Sequence, residues 1–253
     1  MSDPCYSIGL GITIARNFHP LCSPSQESLV ARRRSRIAGI FITLEGTEGS
    51  GKSTQAARLA QSLRAEGHAV LLTREPGGTP AAELLREVLL KNNSESLAAE
   101  TEAFVILAAR RQHVDHVIAP ALQQGAIVIC DRFVDSTLAY QGYARGLDLK
   151  TLRTMNTWAT GGLVPNLTLL FDLPVATGLR RRQRDAAGQN RLDRETARFH
   201  QQVRAGFLDL ARKEPRRIKP INAARTPDRV AAAVHTLVCE WMETRRPKPG
   251  HRK

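Results

Sequence analysis

A glycine-rich turn that follows a short apolar segment constrains the fold of this 253-residue chain more than any other feature. Residues 40–44 are apolar or β-branched, which is typical of a buried strand. Gly46 is followed by four residues and then by Gly51, Lys52 and Ser53, which completes the phosphate-loop pattern. Apolar residues at helical spacing come next, at Ala56, Leu59, Ala60 and Leu63. A strand, this loop and a helix in that order predict an α/β domain that binds the phosphates of a nucleoside triphosphate.

The residue types in the loop suit a polyanion. Glycines leave the backbone bare, so that its N–H groups and the N-terminus of the next helix can face the phosphates. Lys52 adds a positive charge toward the β- and γ-phosphates, and the hydroxyl of Ser53 can ligate Mg²⁺. A chance match in a glycine-rich turn is the alternative, which the surrounding strand and helix disfavour. The expected nucleotide contacts are Gly46, Thr47, Glu48, Gly49, Ser50, Gly51, Lys52, Ser53 and Thr54.

The rest of the chain alternates strand and helix patterns. Apolar segments at 69–73, 126–130, 167–171 and 217–221 predict four more strands. Because helices separate them, the sequence predicts a five-stranded parallel sheet with helices on both faces and ligands at the carboxyl ends of the strands. The helices are expected at 52–66, 80–90, 99–124 with a bend near Pro120, 135–143, 148–160, 176–182, 196–213 and 227–242.

The two ends of the chain differ from its centre. Residues 1–38 combine several prolines with the arginines at 32–34, and we expect a flexible N-terminal extension before a folded domain at 39–243. An organelle-targeting peptide is conceivable there, but no convincing amphipathic arginine helix supports it. Residues 244–253 form a basic tail with five basic residues and no acidic one. Much of the net charge of +13 therefore lies at the ends, which favours solvated tails over a nucleic-acid-binding surface.

Cysteine usage and hydropathy bound the location of the protein. Its four cysteines are scattered and form no Cys-x-x-Cys pair, which fits free thiols in a reducing cytoplasm and gives no metal-binding pattern. No apolar run approaches the roughly 20 residues that a membrane span needs. We therefore expect a cytoplasmic protein that does not enter a membrane.

Charged residues at the predicted strand ends indicate a second anion. Asp131 follows the third strand, where a carboxylate can hold Mg²⁺ through water. The next residue is Arg132 rather than a glutamate that could activate water, which favours phosphoryl transfer over hydrolysis. A structural ion pair is the alternative for Arg132. Arg74, just after the second strand, and Arg110, between alanines of a long helix, are further candidates for the acceptor site.

An arginine-rich stretch is expected to form a lid at about 183–195. Because so many like charges repel one another, this stretch is not expected to pack into a core. It could instead close over a triphosphate and supply an arginine to the transferred phosphoryl group. A solvated basic helix is the alternative. The candidate lid arginines are Arg180, Arg181, Arg182, Arg184, Arg191 and Arg194, and with Lys52 and Arg132 we assign catalysis to Arg184 and Arg191.

Several motifs together carry a family resemblance. They are the loop region 41–55, Arg-Glu-Pro-Gly-Gly-Thr at 74–79, Ala-Arg-Arg-Gln at 109–112, Asp-Arg-Phe at 131–133, residues 136–142, and Leu-Asp-Arg at 192–194. Residues 39–242 resemble the bacterial thymidylate kinases in uninterrupted order. The resemblance implies a P-loop nucleoside monophosphate kinase-like fold with an arginine-rich lid, a homodimer, Mg²⁺, and transfer of phosphate from ATP to dTMP to give dTDP.

The resemblance also implies roles for individual residues. Gly49 occupies the position where one branch of the family has a catalytic arginine, so this chain resembles the branch whose arginine is in the lid. Glu48 matches a carboxylate near the acceptor's 3′-hydroxyl. The acceptor residues are Arg74, Arg110 and Arg132 around the phosphate and base, and Thr137, Tyr140 and Gln141 over the deoxyribose and thymine.

One position departs from the family pattern and keeps other functions open. Four residues before Arg110 the family usually has a phenylalanine that stacks on thymine, and this chain has Ile106. Phe104 lies about 200° away around the helix and cannot substitute for it. A kinase for another deoxynucleotide or a deoxynucleoside is therefore the alternative, followed by a nucleotide-dependent nucleic-acid-binding protein. A GTPase is disfavoured because the chain has no Asn-Lys-x-Asp guanine motif.

Overall fold

The structure is a computed structural model that describes residues 39–91, 96–184 and 191–245. The predicted N-terminal extension at 1–38, the centre of the predicted lid at 185–190 and most of the basic tail lie outside the described residues. All described residues belong to one compact unit.

The core of the fold is a parallel sheet of five strands in the order β2-β3-β1-β4-β5, which confirms the predicted sheet. All four strand pairs are parallel, and Ile42 of the first strand lies between Ile129 and Leu167. The strands are β1 (Ile40–Gly46), β2 (Val70–Arg74), β3 (Ile127–Asp131), β4 (Leu167–Asp172) and β5 (Ile218–Asn222).

The strands run about one residue further toward their carboxyl ends than the hydrophobic pattern predicts. Arg74 pairs with Asp131 in the ladder, and Asp172 pairs with Asn222. Polar side chains therefore complete the strands because the backbone hydrogen bonds continue past the last apolar residue. These charged groups meet at one edge of the sheet, where ligands of open α/β folds bind.

The helices follow the predicted order, with two local differences from ideal geometry. Their bounds are α1 (Lys52–Ala65), α2 (Pro80–Leu90), α3 (Ala99–His113), α4 (Ala119–Gln123), α5 (Val134–Thr137), α6 (Leu149–Thr160), α7 (Val175–Arg184), α8 (Ala197–Lys213) and α9 (Pro227–Glu243). A short 3₁₀ turn, Leu192–Arg194, precedes α8.

Two segments adopt the wider π-helical turn. Val114–Ile118 separates α3 from α4 where the sequence predicts one bent helix, since Pro120 has no N–H to donate to the preceding turn. Leu138–Ala144 continues α5 as a second π segment, and the N–H of Arg145 donates to the carbonyl of Tyr140 at 2.9 Å. Such segments are frequent at functional sites, and this one carries Tyr140 and Gln141.

Alternation along β1 places helices on both faces of the sheet. Ile42 and Leu44 pack with Leu59 and Leu63 of α1, and Val234 of α9 belongs to the same core. Phe41 points to the opposite face, into a core with other side chains of β3 and the α3–α4 region. Burying each such side chain stabilises the fold by about 1.5–3 kcal/mol, so the strand that feeds the glycine-rich loop is held firmly from both sides. No helix in the described residues combines the length and apolar character that a bilayer crossing requires.

Candidate active site

The glycine-rich loop joins β1 to α1 and is closed on itself. Gly49 and Gly51 adopt left-handed backbone angles, with φ of 68° and 86°. The Nζ atom of Lys52 donates to the carbonyl of Thr47 at 2.8 Å, and the Ser50 hydroxyl donates to the same carbonyl at 2.7 Å. These contacts place the charge of Lys52 within the curve of the loop before any ligand binds.

A side chain at position 49 would not fit this loop. A Cβ atom built on Gly49 would lie 2.1 Å from the carbonyl oxygen of Gly178 in α7, far inside van der Waals contact. The backbone of α7 is therefore packed directly against the loop. An arginine could occupy position 49 only if α7 moved.

Ser53 and Asp131 form an oxygen-rich pair beside the loop. The Ser53 hydroxyl donates to Asp131 Oδ2 at 2.5 Å, which brings the start of α1 to the end of β3. Asp131 Oδ1 is buried and has no hydrogen-bond partner among the described residues. A hydroxyl and a carboxylate with a spare oxygen are the hard donors that Mg²⁺ prefers, so these residues fit the predicted metal site.

Arg132, the residue after Asp131, has an unusual backbone conformation. Its φ of 73° is the only positive value for a non-glycine residue in the described chain. Its guanidinium donates to the carbonyl of Gly46 at 3.0 Å and to Glu48 Oε1 at 3.1 Å. It also lies 5.1 Å from the centre of the Tyr140 ring. Such strain persists only where the surroundings impose it, and it commonly marks functional sites.

Glu48 is the anionic centre of this group. Tyr140 donates its hydroxyl to Glu48 Oε1 at 2.5 Å, and the buried His200 lies with Nδ1 3.1 Å from Glu48 Oε2. Burial opposes the charge of Glu48, but the contacts with His200, Arg132 and the nearby Lys52 outweigh it and lower the pKa of Glu48 to about 2. The carboxylate is therefore ionised and balances the arginine and lysine around it.

Arg110 lies in the cavity wall but is held by several fixed partners. Its side chain is 2% exposed, and its Nε donates to Glu75 Oε2 at 2.7 Å. One terminal nitrogen donates to Thr137 Oγ1 at 2.8 Å and to Asn156 Oδ1 at 2.5 Å. His113 contacts the other oxygen of Glu75 at 3.3 Å. The guanidinium is thus preorganised by a buried polar network rather than free to reorient.

The other residues predicted to bind the acceptor line one cavity with Arg110. Arg74 is half-exposed and pairs with Glu83 at 3.0 Å. Gln141 donates to Glu102 Oε1 at 2.5 Å. Ile106 presents an apolar face to the cavity, whereas Phe104 is 60% exposed and does not line it, as its position around the helix predicts.

One cavity of about 460 Å³ is lined both by residues predicted to bind the donor and by residues predicted to bind the acceptor. This is within the usual size of a small-molecule site. Its wall contains the loop lysine and the Ser53–Asp131 pair as well as the three arginines predicted to bind the acceptor. Its lining residues include Glu48, Lys52, Ser53, Thr54, Arg74, Ile106, Arg110, Asp131, Arg132, Thr137, Tyr140 and Gln141.

Of the candidate lid arginines, Arg181, Arg182 and Arg191 line this cavity. Arg191 donates to the carbonyl of Leu89 at 3.1 Å and forms a close ion pair with Glu102. Arg184, the other assigned catalytic arginine, is exposed at the end of α7 and is not among the cavity residues.

Three residues that lie in or next to the site were not predicted from the sequence: Glu75, His200 and Glu102. Glu75 lies in a loop motif that gives no sign of burial, and His200 follows a phenylalanine in an ordinary amphipathic helix. Glu102 carries a usable signal, because Glu102, Ile106 and Arg110 recur every four residues and so share one helix face.

Comparisons with known proteins agree with this geometry. The family model described as thymidylate kinase matches residues 44–234. The thymidylate kinase of Syntrophotalea carbinolica is 53% identical over 209 residues, which cover 81% of this chain and 94% of that protein. The thymidylate kinase of Thermomicrobium roseum is 51% identical over 83% of this chain and 99% of its own length. The solved thymidylate kinase from Ehrlichia chaffeensis is 35% identical, with a TM-score of 0.63 over 81% of this chain and 98% of that one. The chain therefore belongs to the thymidylate kinase family.

Proposed function

We propose that this protein transfers the γ-phosphoryl group of ATP to the 5′-phosphate of dTMP, which gives ADP and dTDP. The observation that carries the proposal is a single cavity with two sets of cationic groups. Lys52 and the start of α1 form one set, and Arg132, Arg74 and Arg110 form the other. One nucleotide does not need both sets, whereas two phosphate esters that repel each other do.

On the donor side, the loop N–H groups and the N-terminus of α1 hold the triphosphate. Lys52 exchanges its bonds to Thr47 and Ser50 for the β- and γ-phosphate oxygens. Ser53, with Asp131 behind it, would hold Mg²⁺, which would supply neutralisation of charge on the phosphate oxygens. A lid arginine, Arg191 or Arg184, completes the neutralisation when the lid closes.

On the acceptor side, Arg132 holds the monophosphate while Glu48 keeps the guanidinium in place. The acceptor phosphate is already ionised, so the reaction needs no dedicated general base. Catalysis then consists chiefly of aligning the two anions and neutralising their charge. Side chains such as Arg110 are ordered before the substrate binds, so little conformational entropy is lost when the substrates are aligned.

The sugar and base are proposed to lie between Tyr140, Gln141 and Thr137 on one side and Ile106 on the other. All four residues line the cavity. Tyr140 and Glu48, joined by a short hydrogen bond, leave little room for a 2′-hydroxyl if the sugar packs against them. We also propose a cytoplasmic homodimer that acts on free nucleotides without nucleic acid, and the family membership supports this assignment.

An acceptor panel tests the proposed function. Release of ADP is measured with dTMP, dUMP, dCMP, dGMP and thymidine as acceptors, with Mg²⁺ and ATP held constant. We expect dTMP to have the highest kcat/KM and the Lys52→Ala variant to lose most of the turnover. A clear preference for another acceptor would support the alternative that Ile106 motivates, a kinase for a different deoxynucleotide or deoxynucleoside. Near-full turnover of Lys52→Ala would contradict the donor site.

A further inference from the structure

Three side chains of types that bind metals converge outside the nucleotide cavity. Glu66 directly follows α1, and His235 and Cys239 lie one turn apart on α9. One ligand atom from each lies within 4.8 Å of the others. Lys52 starts α1 and Glu66 follows its last residue, so the length of the helix separates the cluster from the phosphate loop by about 20 Å.

The packing of α1 against α9 brings these residues together. Leu59 and Leu63 of α1 share one apolar core with Val234 and Val238 of α9. His235 and Cys239 are each the next residue after one of these valines, so they lie at the margin of that core. Their spacing of four residues puts both side chains on the same face of the helix.

The interatomic distances are close to those of a tetrahedral zinc site, which two small side-chain movements would complete. His235 Nε2 is 3.6 Å from Cys239 Sγ and 2.5 Å from Glu66 Oε1. Zinc bonds of about 2.0–2.1 Å to nitrogen or oxygen and 2.3 Å to sulfur place tetrahedral N and S ligands roughly 3.6 Å apart, and N and O ligands roughly 3.3 Å apart. The His–Cys pair already has this separation, but Sγ also lies 3.9 Å from His235 Nδ1, so the imidazole must turn to direct Nε2 at a shared ion. The Glu66 carboxylate must withdraw by roughly 0.8 Å.

The side chains leave room for that withdrawal. The side chain of Glu66 is 41% exposed and that of His235 is 37% exposed. Glu66 lies at a helix end, where its side chain can change rotamer without disturbing a packed core.

We propose that Glu66, His235 and Cys239 form a binding site for Zn²⁺, with water as the fourth ligand. Imidazole, thiolate and carboxylate are the three ligand types that zinc accepts in proteins. On binding, a Zn–S bond replaces the S–H bond of Cys239, and the proton passes to solvent without any change in oxidation state. The ion would tie the end of the phosphate-loop helix to the last described helix.

Cobalt(II) gives a spectroscopic test that the catalytic metal site cannot mimic. The reduced, metal-free, full-length protein is titrated with Co²⁺ and then with Zn²⁺. We expect a thiolate-to-cobalt charge-transfer absorption that saturates at one Co²⁺ per chain and disappears when Zn²⁺ is added. Ser53 and Asp131 contain no sulfur, so a metal bound there does not produce this absorption. Cys239→Ser is expected to abolish the band.

Affinity and stability measurements complete the test. Removing a residue that only supports a metal ligand weakens metal binding by about 10–100-fold. His235 would itself be a ligand, so His235→Ala should weaken Zn²⁺ binding by at least about 10-fold in a calorimetric titration. Zn²⁺ should also raise the melting temperature of the unmodified protein more than that of either variant. His116→Ala and Cys22→Ser are the matched controls and should bind as the unmodified protein does.

Either of two results would overturn the proposal. The first is a Co²⁺ complex that lacks the thiolate band. The second is a Zn²⁺ affinity that Cys239→Ser and His235→Ala leave unchanged, which would assign any binding to an unrelated site. Circular dichroism shows whether each variant is folded, and Glu66→Gln provides a third, surface-exposed variant if one of the others is not.

Discussion

Glu75→Gln should lower the stability of the folded protein strongly, although Glu75 lies in a loop motif. The side chains of Glu75 and Arg110 are 3% and 2% exposed, and they meet at 2.7 Å. Removing one partner of a buried ion pair leaves an uncompensated charge and costs about 3–5 kcal/mol. With a denaturant slope of about 3 kcal/mol per molar of urea, the unfolding midpoint should fall by roughly 1 M or more.

Urea denaturation followed by circular dichroism measures this effect, with Glu83→Gln as the matched control. Glu83→Gln makes the same substitution in the ion pair with Arg74, but both side chains of that pair are at least 40% exposed. The free energy of unfolding should therefore fall by only about 0–1 kcal/mol. The double variant Glu75→Gln/Arg110→Met should recover part of the loss because the stranded charge is removed. Equal midpoints for Glu75→Gln and Glu83→Gln would refute the argument that a buried network fixes Arg110.

Three further predictions concern Glu48, Glu102 and the lid arginines. The pKa of Glu48 is lowered from 4.5 to about 2, so its ionised form stabilises the fold above pH 4.5, and this stabilisation is lost as the pH falls toward 2. Glu48→Gln should therefore lower the free energy of unfolding at neutral pH by about 3 kcal/mol. Thermal melts at a series of pH values should show a weaker pH dependence for the variant between pH 4.5 and 2. Glu102→Gln removes the ion pair that holds Arg191 and should lower kcat by about 10-fold, which corresponds to one charge-assisted hydrogen bond of ~1.4 kcal/mol. An unchanged kcat in steady-state assays would show that this ion pair does not position Arg191 for lid closure. Arg191→Ala should reduce kcat much more than Arg184→Ala, since only Arg191 lines the cavity, and the reverse order in the same assay would assign the catalytic contact to Arg184.

The sheet could be predicted because its information is local. Residues 40–44 and 126–130 are continuous apolar runs between turn residues, and such runs are buried strands in a parallel sheet. The interrupted helix around Pro120 could be located but not described, because the sequence marks the missing N–H and does not say which neighbouring turn widens. Strand ends shifted by one residue because Arg74 and Asp131 pair through their backbones irrespective of their polar side chains.

The site was predictable where a residue type is tied to a position along the chain. Lys52, Ser53 and Asp131 follow from the loop pattern and from the end of a buried strand. The partners of these groups were not predictable, since contacts such as Arg110–Glu75 and Glu48–His200 join residues that are far apart in the chain. The positive φ of Arg132 also escaped prediction, because its cause is the packing of the loop around it rather than the residue itself.

The destination of the γ-phosphoryl group tests the central claim most directly. The protein is incubated with γ-³²P-labelled ATP, Mg²⁺ and dTMP, and the labelled products are separated by chromatography. If the two sets of cations hold a donor and an acceptor together, the label appears in dTDP in amounts equal to the ADP formed. Label released chiefly as inorganic phosphate, at a rate independent of dTMP, would contradict phosphoryl transfer between two bound nucleotides.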